Sequence, residues 1–168
     1  MDNKKVVDVI TIENATIGFR NFSGKENQFN PKGTKSFCVF LDEDFATRLQ
    51  KDRWNVKWPK DPRPDDTRKP YLPVGVNFDN FPPKVVIIKN DKKSELNDED
   101  IHILDWVEIK NVDIIIRPYN WSNNGKAGVK AYLKTMYITV VQDAFEAKYE
   151  SVPDISSPSD DHYPDLPF

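Results

Sequence analysis

The sequence predicts a mostly β protein built as a small Greek-key barrel, and three observations predict it. Six or seven segments rich in Val, Ile, Thr and aromatic residues alternate apolar with polar positions. At most two short stretches carry helical spacing, and the connections are long and marked by Pro, Gly and Asn. A parallel α/β sheet needs crossover helices at regular intervals, which this pattern does not offer.

Val6 to Phe19 reads as one long strand with room for a bulge near Glu13-Asn14, and Ser23 to Gly33 as a loop. Lys35 to Leu41 is a second strand. Asp42 then caps a short helix whose first turn holds Glu43 and Asp44, whose buried face holds Phe45 and Leu49, and which ends near Arg53. Trp54 to Trp58 alternates as a short strand. Four prolines from Pro59 to Pro70, interspersed with Lys60, Arg63, Arg68 and Lys69, make an exposed loop. Leu72, Val74, Val76 and Phe78 alternate as a strand, Phe81-Pro82-Pro83 breaks it, and Lys84 to Lys89 resumes. Asn90 to Asp100 is a charged turn with a helical turn from Asn97. Trp106 to Arg117 and Val129 to Val141 are longer strands, joined through Asn123-Asn124-Gly125, a hairpin turn signal. Ala144 to Tyr149 reads as a short helix.

A chain of 168 residues is one domain by size. Its mean hydropathy of −0.66 and 38% apolar content describe a soluble protein, and no run approaches the ~18 apolar residues of a membrane span, so no membrane partner is expected. No signal-peptide pattern opens it, and the lone Cys38 suits a reducing cytoplasm. One Cys with His102 and His162 cannot build a structural zinc site. Ser151 to Phe168 differs in chemistry: it has no Lys or Arg but carries Asp154, Asp160, Asp161 and Asp165. Setting those four aside leaves 23 acidic against 24 basic residues, so the body carries +1 and the tail −4. The expected division is a folded domain over 1–145 and an acidic, flexible tail over 146–168.

The strand from Val129 has two faces, with Val129, Ala131 and Leu133 on one and Lys130, Tyr132 and Lys134 on the other. A ring between two ammonium groups suits a nucleotide strand, the base stacking on Tyr132 while the lysines meet phosphates. The competing reading is a solvated face whose lysine stems cover a tyrosine. Two further clusters favour the first: Arg117-Pro118-Tyr119-Asn120-Trp121 with Lys126, and Trp54 to Trp58 beside the basic proline loop. Phe19, Arg20, Phe22, Lys25, Lys32 and Lys35 make another at the first hairpin. Enzyme chemistry has little support. Six glycines include no phosphate-cradling loop, no Ser or Cys nucleophile has a motif around it, and Asp42-Glu43-Asp44 and Asp98-Glu99-Asp100 sit where capping and the helix dipole explain them. No cofactor or metal site is expected.

Asp165-Leu166-Pro167-Phe168 resembles the C-terminal tip of bacterial and phage single-stranded DNA-binding proteins, in which acids precede a hydrophobic residue, Pro and Phe. The body is similar to phage-encoded single-stranded DNA-binding proteins over Asn14 to Gly24 and over Asp113 to Tyr137, including Gly128-Val129-Lys130-Ala131-Tyr132-Leu133-Lys134. The body does not look like the bacterial housekeeping family, the linker is a few Ser and Pro residues, and His162-Tyr163-Pro164 separates Asp160-Asp161 from the tip. The resemblance implies a non-enzymatic OB-fold protein that coats exposed strands in phage replication, recombination or repair, in the host cytoplasm. Phosphates would then meet Arg20, Lys25, Lys35, Lys57, Arg117, Lys126, Lys130 and Lys134. Bases would stack on some of Phe22, Trp58, Tyr119, Trp121 and Tyr132. Asp160, Asp161, Asp165, Leu166, Pro167 and Phe168 would recruit replication, recombination or repair proteins. The alternatives are a phage structural or adaptor β-sandwich with a protein-binding aromatic surface and, third, a metal-dependent nuclease using the acidic runs. Oligomeric state is left open.

Overall fold

The computed structural model describes residues 8–26, 33–60 and 69–141. The helix expected from Ala144, the acidic tail with its tip, and most of the proline loop lie outside the described residues. The elements are β1 (Ile10–Ile12), β2 (Thr16–Asn21), β3 (Lys35–Phe40), α1 (Glu43–Lys51), β4 (Tyr71–Val76), β5 (Lys84–Lys89), β6 (Lys92–Leu96), a 3-10 turn (Ile101–Asp105), β7 (Ile109–Asn123) and β8 (Lys126–Val140). The architecture is the mostly β, OB-like barrel that the pattern predicts.

All eight strands join one sheet, ordered β1-β7-β8-β4-β3-β2, with β5 pairing β8 and β6. Strand β8 organises it. Along one edge it pairs antiparallel with β7; along the other it pairs parallel first with β4 (Gly75↔Tyr132) and then with β5 (Lys84↔Thr135). A bulge sits at that change of neighbour: Leu133 opposes Ile116 and Thr135 opposes Ile115, leaving Lys134 as the extra residue. Inward positions shift accordingly, from Val129, Ala131 and Leu133 to Met136, Ile138 and Val140, all buried. Simple alternation therefore holds only to Leu133.

The core gathers Phe22, Phe37, Val39, Leu72, Val74, Ile114, Ile116 and Leu133 with Ala46 and Leu49 of α1 and Ile101 and Leu104 of the 3-10 turn. Asp42 caps α1 as expected, its carboxylate accepting from the Phe45 N–H at 2.8 Å.

Four expectations need correction. The first strand is two: the chain breaks at Asn14, which takes a left-handed φ of 52°, so β1 pairs with β7 while β2 pairs with β3. Trp54 to Trp58 is not a strand but a segment making two isolated bridges, Trp54 to Val129 and Lys57 to Tyr71. The charged turn from Asn90 contains β6, whose Lys92-Lys93-Ser94-Glu95-Leu96 hides its strand character because an edge strand tolerates charge on both faces. The two late strands are longer than the expected ends at Arg117 and Val129: β7 continues to Asn123 and β8 starts at Lys126, so they run together to a two-residue turn at Asn124-Gly125. Both turn residues have positive φ, 51° and 79°, as a type I′ hairpin requires.

Candidate nucleic-acid interface

The face of the sheet turned away from the core is set by register. Arg117 opposes Tyr132, Tyr119 opposes Lys130 and Trp121 opposes Gly128, while the alternate residues Val129, Ala131 and Leu133 point inward. The face continues across Gly75 and Pro73 of β4 onto Ser36, Cys38 and Phe40 of β3, and then onto Gly18 of β2. No Asp or Glu occurs in the segments that build it, 16–18, 36–40, 71–75, 117–123 and 126–132. They do contain Arg117, Lys126 and Lys130. In a chain of net charge −3, such a face is chemically suited to an anion.

Three of its rings rest on glycines. A Cβ on Gly75 would come within 3.0 Å of the Tyr132 ring, one on Gly128 within 2.8 Å of Trp121, and one on Gly18 within 2.6 Å of Phe40. In each case the missing side chain lets a ring from the next strand lie down over the backbone. A ring held against the sheet keeps its outer π-face for a ligand, and every nucleobase has a face to match it.

Cations are placed by the same rings. Lys130 Nζ lies 5.0 Å from the Tyr132 centroid. The Arg117 guanidinium stands between two rings, 5.0 Å from Tyr132 and 5.2 Å from Phe81, which is 78% exposed. Arg117 Nε is buried without a hydrogen-bond partner among the described residues. Tyr119 meets Tyr132 edge-on at 6.1 Å, and both Tyr119 and Trp121 are exposed. Lys126 is exposed at the hairpin turn, and Lys134 is exposed at the bulge.

At the other end of the face, Phe19, Phe40 and Tyr71 form a triangle with centroid separations of 5.4, 6.0 and 6.1 Å. Lys57 exchanges both backbone hydrogen bonds with Tyr71, at 2.8 and 2.9 Å, which puts a further cation beside the triangle. Trp58 is exposed and donates through Nε1 to Gln50 Oε1 at 3.1 Å, while Trp54 and Val56 are core.

The first-hairpin cluster does not assemble as the sequence suggests. Phe22 is fully buried and stacked on Phe37 at 5.2 Å, so it is a core residue and not a base platform. Arg20 donates to the Leu104 and Val107 carbonyls, both at 2.8 Å, tying β2 to the 3-10 turn. Lys35 is ion-paired with Asp98 and donates to its carbonyl. Lys25 lies over Trp106, whose other neighbour is His102, away from the outer face. Asp105 accepts from the Phe22 and Ser23 N–H groups and completes this docking. Among the cations expected at the site, Arg20 and Lys35 are thus occupied in holding the fold. The acidic runs are similarly engaged: Asp42 in its cap, Asp98 with Lys35, and Asp100 accepting from the Asn97 N–H at 2.8 Å. Cys38 lies half-buried on the face, where burial pushes its thiol up to about 11 and keeps it protonated at neutral pH.

Residues that the sequence did not single out as ligands include Phe40, Tyr71 and Phe81. The signal available for two of them was a glycine on the neighbouring strand or a cation on the hairpin, and both emerge only once register is fixed.

A family model described as "Putative phage ssDNA-binding domain" matches residues 1–163, nearly the whole chain. Among solved structures, the single-stranded DNA-binding protein of bacteriophage Enc34 in complex with ssDNA superposes with a TM-score of 0.52 at 13% identity, covering 82% of this chain and 89% of that one. The same phage protein without that description gives a TM-score of 0.50 at 14% identity, covering 89% of each chain. At such identities the likeness is one of fold. No curated protein matches the chain.

Proposed function

The chain belongs to the phage single-stranded DNA-binding domain family, and on that premise we propose that the outer face of its sheet holds the strand. Its role is binding and not catalysis. Bases stack on Tyr132, Trp121 and Tyr119, while Arg117, Lys126, Lys130, Lys57 and Lys134 meet phosphates. The reading rests above all on the acid-free face with its glycine-seated rings. Stacking contributes about 1–3 kcal/mol per base whatever the base, so binding is tolerant of sequence. A duplex keeps its bases stacked inside and offers no free π-face to these rings. Titration with labelled single- and double-stranded oligonucleotides of one length tests this: the single strand binds more tightly, and equal or tighter duplex binding overturns it.

The finer role follows the same chemistry. The protein coats strands exposed during replication, recombination or repair in the cytoplasm of the phage host. The domain over 1–145 binds DNA, and the segment over 146–168, with Asp160, Asp161, Asp165, Leu166, Pro167 and Phe168, engages a basic pocket on replication, recombination or repair proteins. Pull-downs from infected-cell extract with and without Phe168 test the second half. Loss of replication or repair proteins on deletion supports it, and identical partner lists refute it.

A further inference from the structure

We propose that Phe19, Phe40 and Tyr71 form a second base-stacking platform, so that a bound strand crosses the sheet from the β7–β8 hairpin to β2. This rests on the outer face being the DNA-binding surface and adds its far boundary and the direction of the strand. Phe19 is 67% exposed. The bulge between Gly18 and Asn21 turns it outward on a left-handed φ of 48°, a conformation that ordinary L-residues disfavour. What the backbone gains there is a ring 5.4 Å from Tyr71 and 6.0 Å from Phe40, the latter itself lying on Gly18. Both rings that Phe19 meets, Phe40 and Tyr71, are on the outer face too.

Between this triangle and Tyr132 the floor is built from Cys38, Pro73 and Gly75, residues too small to obstruct a strand. Counted along the curved sheet, β2 and β7 are four strand spacings apart, a path of about 19 Å. Aromatic groups thus stand at both ends of a low trough whose described strand segments carry no acid, with Lys57 beside one end and Lys130 and Arg117 at the other. A protein partner would also cover an apolar triangle. The absence of acids from the described strand segments that build the trough, and its continuity with the hairpin platform, favour a polyanion that carries flat rings.

The test is a length series of oligothymidines, about 4–16 nucleotides, titrated onto wild type, Phe19→Ala, Phe19→Trp and Tyr132→Ala. Wild type gains affinity with length as the strand reaches the second platform. Phe19→Ala loses about 5–150-fold on the longest oligomer and nothing on the shortest, with an unchanged melting temperature because the ring is outside the core. Phe19→Trp retains the gain. Tyr132→Ala weakens every length. If Phe19→Ala binds all lengths as wild type does, or if Phe19→Trp loses as much as Phe19→Ala, the second platform is refuted. If only Tyr132→Ala is without effect, the hairpin reading fails while the second platform stands.

Discussion

Gly75 and Tyr132 are partners across the parallel pairing of β4 and β8, and the tyrosine ring covers the glycine so closely that a Cβ there would lie 3.0 Å from the ring. The pair explains why Tyr132 can be both anchored and available. Its underside packs on backbone, Tyr119 meets it edge-on, and the Lys130 and Arg117 cations lie over the ring, each 5.0 Å from its centroid.

Gly75→Val is therefore expected to lift the ring without breaking the strand, since a β-branched residue suits the extended backbone. Binding to single-stranded DNA weakens, by less than the about 1–3 kcal/mol that loss of a whole stacking ring removes. Circular dichroism and a fluorescence titration on the same sample check the two halves. Unchanged affinity in a folded variant would mean that the seating of Tyr132 is irrelevant to the ligand.

Rings on the two sides of the sheet should respond oppositely to truncation. Trp121→Ala and Tyr132→Ala each weaken single-strand binding by about 1–3 kcal/mol and leave the fold intact. Phe22→Ala instead lowers stability by about 3–5 kcal/mol, because it empties a fully buried site against Phe37. Thermal unfolding and DNA titration of the three variants separate the cases. A stable Phe22→Ala with a specific DNA defect would contradict the assignment of faces.

Salt dependence should distinguish free cations from committed ones. About five phosphate contacts predict a log–log slope near −3.5, from about −0.7 per contact on a single strand. Lys130→Ala flattens the slope by about 0.7. Lys35→Ala leaves the slope as it is, since its ammonium is held by Asp98. A slope altered equally by both variants would show that the ion pair opens to the ligand.

Much of the fold was legible because periodicity reports burial. Leu72, Val74 and Val76, or Val129, Ala131 and Leu133, alternate because alternate side chains reach the core. Asp42 and Asn124-Gly125 marked a cap and a turn through local chemistry alone. The failures are where pairing decides. Strand β6 has one buried residue and no pattern to read, and Asn14 splits the first strand because β1 and β2 have different partners. On the outer face, the grouping of Tyr119, Trp121, Lys130 and Tyr132 was readable from the alternation of the hairpin. Phe22 and Phe19 were not distinguishable, being three residues apart among similar neighbours. Only the bulge after Gly18 sends the first ring outward and the second into the core. Likewise Arg20 and Lys35 look like free cations until the 3-10 turn and the turn at Asp98 fold against them.

The most direct test of the outer face as the DNA-binding surface is ultraviolet cross-linking of the full chain to a short oligothymidine, with the attached residues mapped by mass spectrometry. Stacked bases are in contact with the rings that hold them, so the yield reports location and not only affinity. Cross-links are expected at Tyr132, Trp121 and Tyr119, and none at Trp106, which is exposed elsewhere beside His102 and Lys25. Cross-links concentrated at Trp106, with Tyr132 and Trp121 unmodified, would contradict the account.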